Sequence, residues 1–247
     1  MPPYSQLCDD FFLNVSLNTE MPLPTSRETV LEFFGRMRKS YPQMRHFITR
    51  DSGDHVLEED KDNPAYRWVS LESRRVCSGA VNPDSIDAAM QQHALAMSLA
   101  PYMLSVSALD CDAIDVLFGF DFTYRGNHNE LIADTLGVGG GLDGLHGAAA
   151  GRTLSCEPSL TIALDAECRR QARISFGTRT GDYHVRRGDY PEEQISIYLT
   201  VRQYGALDQG DAFENVIESL RETAEDLVNE HMAGQILRPL QSAIATR

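Results

Sequence analysis

The chain has 247 residues, 42% of them hydrophobic and 23% charged, a composition ordinary for a soluble globular protein. Its formal net charge is −14, which repels phosphate backbones and anionic lipid and argues against a nucleic-acid or membrane-surface role. No apolar run approaches the roughly 20 residues of a membrane span, and the first ten residues show neither a basic nor an apolar leader segment. The five cysteines, Cys8, Cys77, Cys111, Cys156 and Cys168, are irregularly spaced, a pattern of reduced and mostly buried thiols. A cytoplasmic location is the expectation.

Phe11, Leu13, Val15 and Leu17 fall at every second position and predict a strand over 11–19. After Pro22 and Pro24, Thr25-Ser26-Arg27-Glu28 has the form of a capping box opening a helix. Val30, Leu31, Phe34 and Met37 keep helical spacing. Tyr41-Pro42 ends it, because a residue before proline is driven out of the α region. The acidic stretch 51–64 reads as an exposed loop or hairpin tip. Strands follow over 65–72, with Tyr66, Trp68 and Val69, and over 74–81, with Gly79 weakening the second. Asn82-Pro83 reads as the next helix start, Ile86, Met90, Ala94 and Met97 as its apolar stripe, and Pro101 as its end.

Near residue 113 the order begins again. A strand is predicted over 113–124, followed by a short helix capped by Asn127 with Glu130 three residues on and carrying Leu131, Ile132 and Leu136. Then comes the glycine-rich segment 137–151. Strands are expected at 159–166, 171–178 and 194–203, and a last helix capped by Asp211 with Glu214 at N3. Phe213, Val216, Ile217, Leu220, Ala224, Leu227 and Val228 form its buried stripe, and it runs past residue 230 until Pro239 disturbs it.

The order of elements predicts an α+β fold: an antiparallel sheet with helices packed on one side, built from a duplicated β-α-β-β-α unit. The halves are 1–104 and 105–247, either separate or joined in one continuous domain with the 11–17 and 114–124 strands side by side. Only the pattern repeats; residue identities do not.

Chemistry is harder to read. The glycines from Gly137 to Gly147 let backbone amides approach an anion. Nucleotide fingerprints, however, need a strand before the glycines and a helix after them, and here a helix precedes. The segment is expected to be a surface loop, or a lid that orders over a ligand. Asp143 and His146 within it are a carboxylate–imidazole pair able to serve as general base on closure. No His-x-x-x-His, His-Glu-x-x-His or Gly-x-Ser-x-Gly occurs, so no metal, cofactor or nucleophile elbow is expected. His93, beside an apolar stripe, reads as a hydrogen-bonded core histidine.

Charge is segregated. Residues 169–187 hold Arg169, Arg170, Arg173, Arg179, Arg186, Arg187 and His184 against Asp182, whereas residues 208–230 are acidic. Arginine's planar fork suits carboxylates and phosphates. The expected function is therefore a non-catalytic binding or assembly module, engaging a protein partner or a second copy of itself. The alternative is a binding protein or enzyme for an anionic small molecule, its pocket between the two halves under the 137–151 loop. His184, Arg186 and Arg187 would then hold the anion, with Asp143 and His146 arriving on closure.

Overall fold

Strand β1 (Asp10–Thr19) alternates between half-buried and buried residues along its whole length, and that alternation divides the molecule into two sides. The computed structural model describes residues 3–137, 144, 151–208 and 211–247. Around β1 the other strands are β2 (His46–Thr49), β3 (His55–Glu58), β4 (Tyr66–Glu72), β5 (Arg75–Val81), β6 (Cys111–Arg125), β7 (Ser159–Ala163), β8 (Arg170–Gly177) and β9 (Glu192–Tyr204). They form one 9-stranded antiparallel sheet in the order β2-β3-β4-β5-β1-β6-β9-β8-β7. The predicted α+β class with an antiparallel sheet is what the chain forms. The two strands expected side by side, β1 and β6, are its central pair, so the sheet runs unbroken across residue 104.

From β1 the first half runs outward through β5, β4, β3 and β2. From β6 the second half runs outward through β9, β8 and β7. This shared path is one that adjacent antiparallel strands adopt readily, and it does not establish a duplication.

The inward face of the sheet is apolar. Leu13, Val15 and Leu17 lie opposite Phe118, Val116 and Ile114, all at 0% exposure. Ile195, Ile197 and Val201 of β9 extend the same layer. Helices α1 (Arg27–Ser40), α2 (Ile86–Met103) and α5 (Phe213–Leu227) cover it with Phe33, Phe34 and Met37, Ala96 and Met97, and Ile217 and Leu220. Helix α3 (His128–Leu136) packs against the C-terminal α6 (Arg238–Thr246), which α5 reaches through a π-helical stretch, Val228–Leu237. A short helix α4 (Asp182–Arg187) lies between β8 and β9.

Local signals were offset in several places. The cap of α1 is Ser26, whose Oγ accepts from the Thr29 amide at 3.2 Å, one residue later than the expected Thr25. The cap of α2 is Ser85, accepting from the Ala88 amide at 3.1 Å. Asn82 is in the left-handed region instead, φ 45°, with its side chain turned to other work. Pro101 lies inside the last turn of α2, which continues to Met103. Ala212, not Asp211, precedes α5. Pro239 falls in the first turn of α6, where a missing N–H is tolerated, so the chain stays helical through it. Strand β2 and helix α4 went unpredicted. The first is exposed at all its residues and the second buries only Val185, so neither leaves a periodic apolar trace. The predicted hairpin tip is the turn between β2 and β3, and β3 occupies part of the expected loop.

A polar knot ties α2 to the sheet inside the core. Gln92 and His93 of α2 are both at 0% exposure. The Gln92 Nε2 lies within reach of the Trp68 carbonyl at 3.2 Å, the Ser78 Oγ at 2.9 Å and the Gly79 carbonyl at 3.1 Å. Ser78 Oγ also sits 2.8 Å from His93 Nδ1, as a hydroxyl donating to a neutral imidazole would. Burial lowers the His93 pKa from 6.5 to about 3. Between those values the unfolded chain binds a proton that the folded chain refuses, so stability falls as pH falls through that window, by up to about 1.4 kcal/mol per pH unit. Urea unfolding should therefore show the wild-type protein losing stability more steeply than His93→Gln as the solution is acidified from neutral. Parallel curves would assign the acid sensitivity elsewhere.

Candidate functional site

The side chains that β1 turns away from the helices are Asp10, Phe12, Asn14, Ser16 and Asn18. Register brings beside them Val81 and Gly79 of β5, Tyr66 and Trp68 of β4, Gly119 and Asp121 of β6, and Tyr198, Ser196 and Gln194 of β9. This outer face is polar with aromatic inserts, and it contains a cavity of about 430 Å³. Asp10, Phe12, Asn14, Tyr66, Trp68 and Asp121 are among its lining residues. Because β1 and β6 meet there, the cavity lies across the junction of the two halves.

Two glycines make room for its rings. A Cβ on Gly119 would overlap the Phe12 ring, and one on Gly79 would overlap the Trp68 indole and Asn14 Oδ1. Both rings therefore lie across a strand, and Phe12 also packs edge-on against Tyr198 with centroids 6.0 Å apart. Glycine inside a strand commonly marks such a close approach. From beneath, Gln92 ties Trp68 and Gly79 to α2.

The polar groups are held unequally. Asn82 stitches the rim together: its Oδ1 accepts from the Phe11 amide at 2.9 Å, and its Nδ2 donates to Asp10 Oδ1 at 2.6 Å and to the Pro64 carbonyl at 2.9 Å. Gln194 Nε2 donates to Asp10 Oδ2 at 3.3 Å. Asp121, directly opposite Asp10 in register, is less well served. Among the described residues its buried Oδ1 has no hydrogen-bond partner, and neither has Asn14 Oδ1. Burial raises the Asp121 pKa, the Asp10 charge adds to that, and the Ser196 hydroxyl and Arg179 pull it down. Like charges facing each other across strands are mutually destabilising, and a buried acceptor without a donor costs about 1–3 kcal/mol.

Farther along the same face the charges are matched. Asp115 is gripped by the Arg202 guanidinium through Nε and through Nη2, the latter at 2.8 Å from Oδ2. It also accepts from Asn18 Nδ2 at 3.2 Å. Arg202 lies over the Tyr204 ring, 5.2 Å from its centroid, and shares a smaller cavity of about 180 Å³ with Arg173, Thr161, Gln171 and Thr200.

The residues predicted for an anion site lie elsewhere. His184, Arg186 and Arg187 are together on α4, each engaged locally. Arg186 Nη2 is 2.7 Å from Asp182 Oδ2. Arg187 stacks on Tyr183, 5.1 Å from its centroid, and donates to its hydroxyl. His184 Nδ1 accepts from the Gly181 amide at 3.2 Å. They line neither cavity on the sheet face. Asp143 and His146 lie outside the described residues. Among the described residues no group of three or more His, Cys, Asp or Glu is placed to hold a metal ion.

The lining residues occupy the polar half of each alternation, which carries no apolar period. The usable signal lay in that same half. Aspartates begin β1 and interrupt β6, mid-strand glycines occur in β5 and β6, and the sole tryptophan follows Arg67. No protein-family model and no curated protein matches the chain.

No cysteine is among the residues lining the two cavities of the sheet face. Burial is the first cause that raises the thiols of Cys8 and Cys111 to about 12 and that of Cys77 to about 11; Cys156 is raised in the same way, and Cys168 is exposed. Since the thiolate is the reactive form, a thiol reagent at mildly alkaline pH should label Cys168 first and Cys156 more slowly. Cys8, Cys77 and Cys111 should react only after unfolding, and rapid native labelling of any of those three would contradict this.

Proposed function

We propose that this protein is a binding module that holds a small polar ligand on the open face of its sheet, in the cavity between Trp68 and Asp121. The observation that carries this is the cavity itself. Its volume of about 430 Å³ falls within the roughly 300–1,000 Å³ usual for small-ligand pockets. Its wall is aromatic, and its floor bears acceptors that the protein leaves unmatched. The reading keeps the expected position between the halves but moves the site from the α4 arginines to the strands.

Trp68 is the sole tryptophan, so its emission reports the cavity directly. A ligand at about 100 times its dissociation constant adds roughly 2.7 kcal/mol to stability. Screening polyols, amino acids, amines and nucleosides should yield a compound that raises the melting temperature and shifts Trp68 emission saturably. Asn14→Leu, which removes an acceptor and occupies space, should abolish both effects without loss of fold. A stabilising compound that leaves Trp68 emission unchanged and binds Asn14→Leu normally would place the ligand elsewhere. A silent panel counts against the reading.

One observation favours a second reading, self-association. Both outer strands carry exposed apolar side chains, Phe47 and Ile48 on β2 and Leu160 and Ile162 on β7, the highest at 61% for Leu160. Unpaired edges of this kind are templates for strand addition. A dimer joined through β7 should dissociate on dilution, and Ile162→Lys should shift the mass toward the monomer in light scattering. A wild-type mass fixed at the monomer at every concentration would refute it.

A further inference from the structure

Resting on the binding reading above, we infer that the pocket's ligand is an organic cation: an aliphatic amine whose ammonium group sits between Asp10 and Asp121 and whose carbon chain lies along Trp68 and Tyr66.

Two carboxylates face each other in register at one cavity. Among the described residues, no Lys or Arg forms an ion pair with either. Lys61, at the rim, is ion-paired elsewhere, 2.7 Å from Glu58 Oε2. Arg179 acts on Asp121 only at a distance, its guanidinium donating instead to Ser196 Oγ at 3.4 Å and to the Thr178 carbonyl. Arg202 is held by Asp115. What Asp10 receives comes from the neutral amides of Asn82 and Gln194, which satisfy two lone pairs without neutralising the charge. A carboxylate offers about four acceptor sites, so capacity remains. Asn14 Oδ1 and Asp121 Oδ1 are both buried and have no hydrogen-bond partner among the described residues.

The site is therefore short of donors and of positive charge, and an ammonium group supplies both, with up to three N–H donors on one centre. The Trp68 face adds a further preference, since an indole attracts a cation through its ring quadrupole. An anion would meet both carboxylates. A neutral polyol would supply donors yet leave the repulsion between Asp10 and Asp121 uncompensated. The net charge of −14 favours capture of cations over long range.

The test uses the full chain and a matched pair of probes, putrescine and butanediol, which share a carbon skeleton and differ in the end groups. Spermidine and a monosaccharide extend the set. Putrescine or spermidine should change Trp68 emission saturably, and calorimetry should give the same affinity. Asp121→Asn should weaken binding at least tenfold, about 1.4 kcal/mol, with its melting temperature retained. Asp10→Asn, which also loosens Asn82, serves as the second variant. Butanediol should be inert. If butanediol or the monosaccharide binds as well as the amines, the assigned ligand class is wrong while the pocket stands. If no probe alters Trp68 emission, the amine assignment falls, and the pocket falls with it when amino acids and nucleosides are silent too. Amine binding that never saturates, leaves Trp68 unchanged and vanishes with modest salt would be diffuse attraction to an acidic surface, and would overturn the site. Undiminished amine binding by a folded Asp121→Asn protein would do the same.

Discussion

The pairing of β1 with β6 is the constraint on which the rest depends. It sets Leu13, Val15 and Leu17 against Phe118, Val116 and Ile114 on one face, where each fully buried side chain contributes about 1.5–3 kcal/mol. Because a strand's side chains alternate strictly, the same register decides what stands on the other face. A slip of one residue would turn the apolar set to water, so the hydrophobic effect holds the outer face in place as well. Asp10 meets Asp121 because Phe11 meets Phe120.

That link explains how a polar cavity exists on a sheet whose stability comes from its opposite side. Gly79 and Gly119 give up side-chain packing and let Trp68 and Phe12 lie across the strands. Gln92 compensates from within, holding the Trp68 and Gly79 carbonyls. Among the described residues, the buried Oδ1 atoms of Asn14 and Asp121 have no hydrogen-bond donor. Structures normally leave few such groups, and clustering of two at one cavity is the feature that packing alone does not account for.

The outer face is also divided electrically. Around Asp115 the charge is balanced by Arg202, with Asn18 and Tyr204 completing the grip. Around Asp10 and Asp121 it is not. The net charge of −14 does not by itself say which of these carboxylates is neutralised. The arginines of residues 169–187, which stand out in the sequence, are dispersed by the fold. Arg173 lies on the sheet face, Arg179 beside Ser196, and Arg186 and Arg187 on α4.

By itself the sequence determined the local periods: which residues of β1, β6 and β9 share a face, where the longer helices lie, and that strands and helices combine as α+β. These are legible because they depend on side chains two, three or four positions apart. It gave little warning of β2 and α4, whose burial is too slight to leave a pattern, and it misplaced caps by one to three residues where several Ser, Thr, Asn or Asp compete. Only the tertiary structure decided that Asp10 faces Asp121, that Trp68 lies over Gly79, and that Asn82 leaves its capping role to bind Asp10 and the Phe11 amide. Those contacts join residues far apart in the chain. Strand order and register are set by the global burial of one face, which no local spacing encodes.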